Sequence, residues 1–230
     1  LLRAGGLHAA FGSDGKAIQV GLAAAAGVTA ARLAAGGATA GEEVYGGFEE
    51  AFGAVWTTEA PRPAIAGNWI KAYPCCLQTH SAIEAAASLP SPPAEPIEVV
   101  VHPVSLRTAW RLDVATGLEA KFSIPYLTAF TLLQGPPGVS SFGAVDPEAR
   151  ALGARVAVAT DDALAESEAV LTAAGHEVAR VAAALGSPAR PMDDAQLAAK
   201  VRDLAGSSLD GALDDRARPA TDLVCGLEVA

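Results

Sequence analysis

Ten residues at positions 71–80, KAYPCCLQTH, hold the densest chemistry in the chain: a lysine, a tyrosine, a proline, two adjacent cysteines and a Thr-His pair. Neighbouring Cys75 and Cys76 do not easily bridge each other, and a zinc site wants spaced thiols plus a second pair, which the rest of the sequence does not supply. His80 could serve a Cys-His nucleophile, yet no third, orienting group accompanies it. The cysteines therefore read as small packing residues and no metal is expected. Lys71, Thr79 and His80 make a different case. The last two fall at the start of a predicted helix, where free backbone N–H groups and the helix dipole favour an anion, and Lys71 adds a fixed positive charge. That combination suits a carboxylate; taken alone it equally describes a solvated lysine and a capping histidine.

Two further places carry similar chemistry. In GSDGKAIQVG, Lys16 is presented by a Gly-flanked loop directly before a long helix, although the spacing is not that of a phosphate-binding Walker loop. In KFSIPYLTAF, Tyr126 sits in the first turn of an amphipathic segment, where it can either pack with its hydroxyl at the edge or orient and protonate a substrate oxygen. His8, His102 and His176 have no constellation around them and are expected to be structural. The pairs Asp161-Asp162 and Asp193-Asp194 sit at turn and helix-start signals and are expected to cap rather than bind metal.

The elements that position these residues are legible from periodicity. Residues 16–36 repeat small and apolar side chains at helical spacing up to Gly36-Gly37, and Gly21 and Gly27 within them suggest close helix packing. A short acidic helix follows over GEEVYGGFEEAFG, then Pro61 and Pro63 break the pattern. THSAIEAAASL predicts a helix with Thr79 as N-cap and a stripe of Ile83, Ala86, Ala87 and Leu89. PSPPAEP is a stiff connector, and IEVVVHPVSL is the strongest strand, ended by Pro103. AKFSIPYLTAFTLLQGPPG predicts a helix capped by Ser123, with Pro125 in its first turn and Gly135 as its stop. ARVAVATDDAL reads as a second strand, AGHEVARVAAAL as strand-like, and DDAQLAAKVRDLAG returns to helix through Leu197, Val201 and Leu204. An α+β chain with a boundary near residue 66 is expected.

Composition narrows the function. The chain has 230 residues and a formal charge of −10 with no Lys/Arg cluster, so no nucleic-acid or anionic-lipid footprint is present in the sequence. The longest apolar stretch, VGLAAAAGVTAARLAA, is alanine-dominated and interrupted by Arg32, which falls short of a bilayer span. Three cysteines and no secretory leader pattern point to a cytoplasmic protein. The chain opens Leu1-Leu2-Arg3 rather than with Met and is expected to be cut from something longer.

Three segments, GSDGKAIQVGLAAAAGVTAARLAAGGATA, WIKAYPCCLQTHSAIEAA and LEAKFSIPYLTAFTLLQG, together resemble the MmgE/PrpD family, which includes 2-methylcitrate dehydratase, cis-aconitate decarboxylase and an iminodisuccinate epimerase. The tail SPARPMDDAQLAAKVRDLAG is similar to the family's closing helical segment. The resemblance implies a helical domain (here residues 1–66, in part), a smaller α+β lid domain (67–190) and closing helices that return to the helical domain (191–230). It implies a homodimer acting on small di- or tricarboxylates without metal or organic cofactor, by removing a proton beside a carboxylate or losing carbon dioxide. By motif, Lys16, Lys71, His80 and Tyr126 fall on family positions; His80, Tyr126 and Lys71 are expected to be catalytic, and Lys16 and Lys71, with Thr79 from its place at the helix start, to bind substrate. Two departures stand out: Ala17 and Gln19 occupy places where the family has Pro and His. Dehydration of a 2-methylcitrate-like hydroxy acid is the expected reaction, with decarboxylation, epimerisation or a truncated non-catalytic remnant as the alternatives.

Overall fold

The computed structural model describes residues 10–53, 55, 67–94 and 96–205. The expected helix over 16–36 forms as α1 (Gly15–Ala35) and is closed at Gly36 and Gly37. It buries none of its residues, and Ile18, Val20, Leu22, Val28 and Leu33 are each more than half exposed. The close packing expected at Gly21 and Gly27 is absent among the described residues: a Cβ added at either would meet nothing within 4 Å. Contrary to the reading from sequence, α1 is also long and apolar enough by length and composition to cross a membrane, with a mean hydropathy of 1.4 over its best 18-residue window. An alanine-rich core helix passes the same test, so this decides nothing about location. The acidic segment forms α2 (Val44–Phe52), ended by Gly53 in the left-handed conformation. Pro61 and Pro63, like His8 and Cys225, lie outside the described residues.

The rest is an α+β body, as expected. Eight helices are described in all: after α1 and α2 come α3 (His80–Ala87), α4 (Pro103–Thr108), α5 (Gly117–Ala120), α6 (Ile124–Gln134), α7 (Pro147–Gly153) and α8 (Asp194–Ala205). Four strands, β1 (Ile97–Val101), β2 (Val156–Thr160), β3 (Ala169–Ala173) and β4 (His176–Val181), form one mixed sheet in the order β2-β1-β3-β4. β1 pairs parallel with β2 and antiparallel with β3, and the parallel pairing requires the long crossover that carries α4 to α7. β1 alternates buried and half-buried residues, so Ile97, Val99 and Val101 share one face. Across the ladder Val99 meets Leu171 and Val158, and α3 and α6 pack against the sheet to complete the core.

β3 is the strand that sequence reading passed over. Its residues AVLTA are buried at four of five positions, so no alternation marks it. Its hairpin to β4 turns on Ala174 and Gly175, both with positive φ, at 48° and 78°. Caps account for several residues left without a role. His102 accepts a hydrogen bond on Nδ1 from the Val104 amide at 3.2 Å and so caps α4. Ser123 caps α6 as expected, and Asp193 exchanges hydrogen bonds with Gln196 at the start of α8. Asp161 accepts from the Ala163 amide in the turn after β2.

Candidate functional site

The 71–80 stretch is pinned from two sides before it enters α3. The Ile70 amide donates to the Gly186 carbonyl at 2.9 Å, and the Cys76 amide donates to the Lys121 carbonyl at 2.8 Å. The second bond joins the KAYPCC turn to the AKFS segment, so two stretches separated in sequence by some forty residues become one surface. Within the turn, Lys71 Nζ donates to the Cys75 carbonyl at 2.9 Å.

Thr79 occupies the N-cap position of α3, as expected, but does not cap it with its side chain. A 3-10 turn over Leu77–Thr79 precedes α3, and the Thr79 side chain makes no cap bond. Its hydroxyl donates instead to the Cys76 carbonyl at 2.7 Å and lies 3.2 Å from Cys75 Sγ. The short turn already satisfies the backbone there, which frees the hydroxyl to bind backwards. The α3 stripe also differs from expectation. Ala82, Ile83, Ala85 and Ala86 are buried together with His80 and Ser81, whereas Ala87 is exposed, because α3 lies between the sheet and α6 rather than at the surface.

Cys75 and Cys76 are both free and buried. Burial above all pushes the Cys75 thiol up to about 12, only partly offset by the Thr79 hydroxyl, so no thiolate is available at neutral pH. Among the described residues no group of three or more His, Cys, Asp or Glu side chains is arranged to hold a metal.

His80 is fully buried and neither ring nitrogen has a hydrogen-bond partner. The Tyr73 ring meets it edge-on at 5.1 Å between centroids. Desolvation, followed by the charge of Lys71, lowers its pKa to about 4; Lys200 on α8 adds to the effect, and the carbonyls of Tyr73 and Cys75 oppose it. The imidazole is therefore neutral at pH 7, and its ring nitrogens have only the poorly aligned carbonyls of Tyr73 and Cys75 nearby, an arrangement that costs stability. Tyr73 itself is pushed up to about 12, mainly by burial and next by Glu84.

Lys16 joins the same neighbourhood. Its Nζ lies 4.1 Å from the Phe11 ring centroid and 5.0 Å from that of Phe122. Burial and then the Lys71 charge lower its pKa. One charge, Lys71, thus acts on both Lys16 and His80, which brings together three residues drawn from separate parts of the sequence.

Tyr126 is placed differently. It is buried beside Phe130 in a cluster that includes Cys75, and its hydroxyl accepts a hydrogen bond from the Asp146 amide at 3.0 Å at the start of α7. No hydrogen bond or ring contact joins it to Lys71, Thr79 or His80. An open cavity of about 410 Å³ is lined by Phe130, Gln134, Asp146 and neighbouring residues of this corner.

Two participants escaped sequence reading. Lys121, inside the AKFS segment, acts electrostatically on Cys75 and places Nζ 5.2 Å from the Phe142 ring centroid. Glu84 accepts from the Leu185 amide at 2.7 Å and pairs with Arg190, tying α3 to the segment after β4. The AKFS motif could have flagged Lys121; nothing local signals a bond spanning a hundred residues.

Residues 73–222 match the family model of the MmgE/PrpD C-terminal domain. The chain belongs to the MmgE/PrpD family. The matched stretch holds Thr79, His80 and Tyr126, while Lys16 and Lys71 precede it. No curated protein matches this MmgE/PrpD chain.

Proposed function

We propose that this MmgE/PrpD chain is a lyase acting on a small di- or tricarboxylate, and that the reaction is dehydration of a 2-methylcitrate-like hydroxy acid. The observation that carries the reading is a fully buried His80 beneath the turn that holds Lys71, whose Nζ donates to the Cys75 carbonyl while Tyr73 packs edge-on against the imidazole. Two cations hold a substrate carboxylate and stabilise the enolate charge that develops when the neighbouring carbon loses its proton. His80 takes that proton. An empty site keeps it a weak base; a carboxylate arriving among the lysines offsets the positive charge and raises its basicity as the proton has to move. Collapse of the enolate to the double bond expels the hydroxyl, which takes the proton of Tyr126 and leaves as water; the Tyr126 oxygen accepts from the Asp146 amide, so its own proton is free to give. Thr79 shapes the turn beneath Lys71. Because Tyr73 packs on His80 and Lys71 bridges to Cys75, substrate reaches the imidazole by displacing the 71–75 turn.

The test is turnover of 2-methylcitrate, citrate and cis-aconitate, followed by the ultraviolet absorbance of the carbon-carbon double bond. Lys71→Ala is expected to abolish most of it, and unchanged turnover overturns the assignment. A second reading, carboxylate binding without turnover, draws on the complete burial of His80 and on Gln19 in place of the family histidine. Ligand binding with no activity on any of the three acids would establish it instead.

A further inference from the structure

Arg111 lies outside every motif, yet its surroundings are unusual. Its guanidinium stacks on Trp110 with Cζ 4.2 Å from the ring centroid, and its backbone amide donates to the Phe122 carbonyl at 3.2 Å. Phe122 is also the residue whose ring Lys16 approaches, with Nζ 5.0 Å from the centroid, so one residue links the two segments. Arg111 Nε is buried with no hydrogen-bond partner, and the side chain keeps 27% exposure. Its ion pair with Glu119 is loose, 3.3 Å from NH1 to Oε1. Glu119 cannot close up on it, because its other oxygen accepts from the Ala115 amide at 2.8 Å and the Thr116 amide at 3.2 Å in the α5 capping box. A planar fork of donors is thus left with an unsatisfied edge in a chain whose net charge is −10.

Resting on the carboxylate reading above, we propose that Arg111 is a specificity-determining residue that binds a second carboxylate of the ligand, while Lys16 and Lys71 hold the first. An arriving carboxylate supplies the acceptor that Nε lacks and a closer partner than Glu119 offers. A Cβ added at Gly12 would lie 3.5 Å from Nε and 3.7 Å from the Phe122 ring, so the chain beside the guanidinium carries no side chain at that point. Monocarboxylates cannot reach both ends and are discriminated against. Trp110 holds the guanidinium plane in register for this, and the bond from Arg111 to Phe122 fixes its distance from Lys16.

The experiment is calorimetric titration of the 230-residue chain with succinate and with propionate, for wild type, Arg111→Gln and Lys71→Gln. Wild type is expected to prefer succinate. Arg111→Gln is expected to cut that preference by about tenfold or more while leaving propionate affinity within about twofold, as for loss of one charge-assisted hydrogen-bonded pair. Lys71→Gln weakens both ligands. An unchanged preference in Arg111→Gln, with Lys71→Gln still weakening both, overturns the role of Arg111 and leaves the carboxylate site standing. Absence of binding to wild type, or binding indifferent to Lys71→Gln, overturns the site and Arg111 together. Should Arg111→Gln fail to fold by circular dichroism, Arg111→Lys carries the test: it keeps the charge and loses the fork, and an undiminished preference in it overturns the proposal.

Discussion

A Cβ on Gly186 would stand 1.8 Å from the carbonyl oxygen of Ile70, and Gly186 holds φ at +85°. The Ile70 amide bonds to the Gly186 carbonyl in the same contact, so the chain entering the candidate site is clamped against the segment after β4. Gly186→Ala meets a backbone clash and a disfavoured conformation at once, and is expected to destabilise by about 2–4 kcal/mol. Urea unfolding checks this; a change below about 0.5 kcal/mol would show that the clamp is not needed.

Glu84 makes a second clamp, from α3 to the Leu185 amide and Arg190. The carboxylate is mostly buried and the guanidinium half exposed, so the amide bond matters more than the ion pair. Glu84→Ala is expected to cost about 1–3 kcal/mol and Arg190→Ala under about 1 kcal/mol. Equal losses in thermal melts would contradict the ranking.

His80 predicts a pH dependence of stability. Its folded pKa of about 4 lies below the unfolded value of 6.5, so the unfolded chain binds the extra proton. The His80 contribution is full above about pH 6.5 and is lost as the pH falls towards about 4, by about 3 kcal/mol at most. His80→Phe keeps the ring contact with Tyr73 and should flatten that slope. Denaturant midpoints at pH 7 and pH 5 for both proteins decide it.

The same group predicts a kinetic signature. If His80 is the base, the acidic limb of kcat/KM falls near the free-enzyme value of about 4, and that of kcat lies higher, because bound carboxylates raise the basicity of the imidazole. Coincident limbs would exclude His80 as the group whose basicity the substrate changes.

α1 predicts association. With no buried residue and Ile18, Val20, Leu22, Val28 and Leu33 exposed, the protein is expected to self-associate with rising concentration, and Leu22→Lys with Val28→Lys to reduce it. Sedimentation velocity checks this, and a monodisperse wild-type monomer would contradict it.

Much of the local structure was written in the sequence by itself. Pro103, Ser123, Pro125 and Gly135 set helix ends because each acts on the backbone within a few residues, and IEVVV declares a strand through β-branching. The same holds for the candidate residues as chemical types. Lys71, His80 and Lys16 were nameable as types near helix starts, where a solvated lysine or capping histidine is equally at home, and it was the MmgE/PrpD resemblance, resting on short ordered motifs, that singled them out. What tertiary structure alone decided is where those types stand. AVLTA became β3 as an interior strand between β1 and β4, and with four of its five residues buried it lacks the alternation that sequence reading depends on. Thr79 turned away from its helix because a 3-10 turn satisfied the cap first. Tyr126 was drawn to Asp146, and the Arg111 backbone was tied to Phe122, the residue whose ring Lys16 approaches. Burial, partner choice and the field at a side chain depend on contacts between distant segments, and a one-dimensional pattern carries spacing but not proximity.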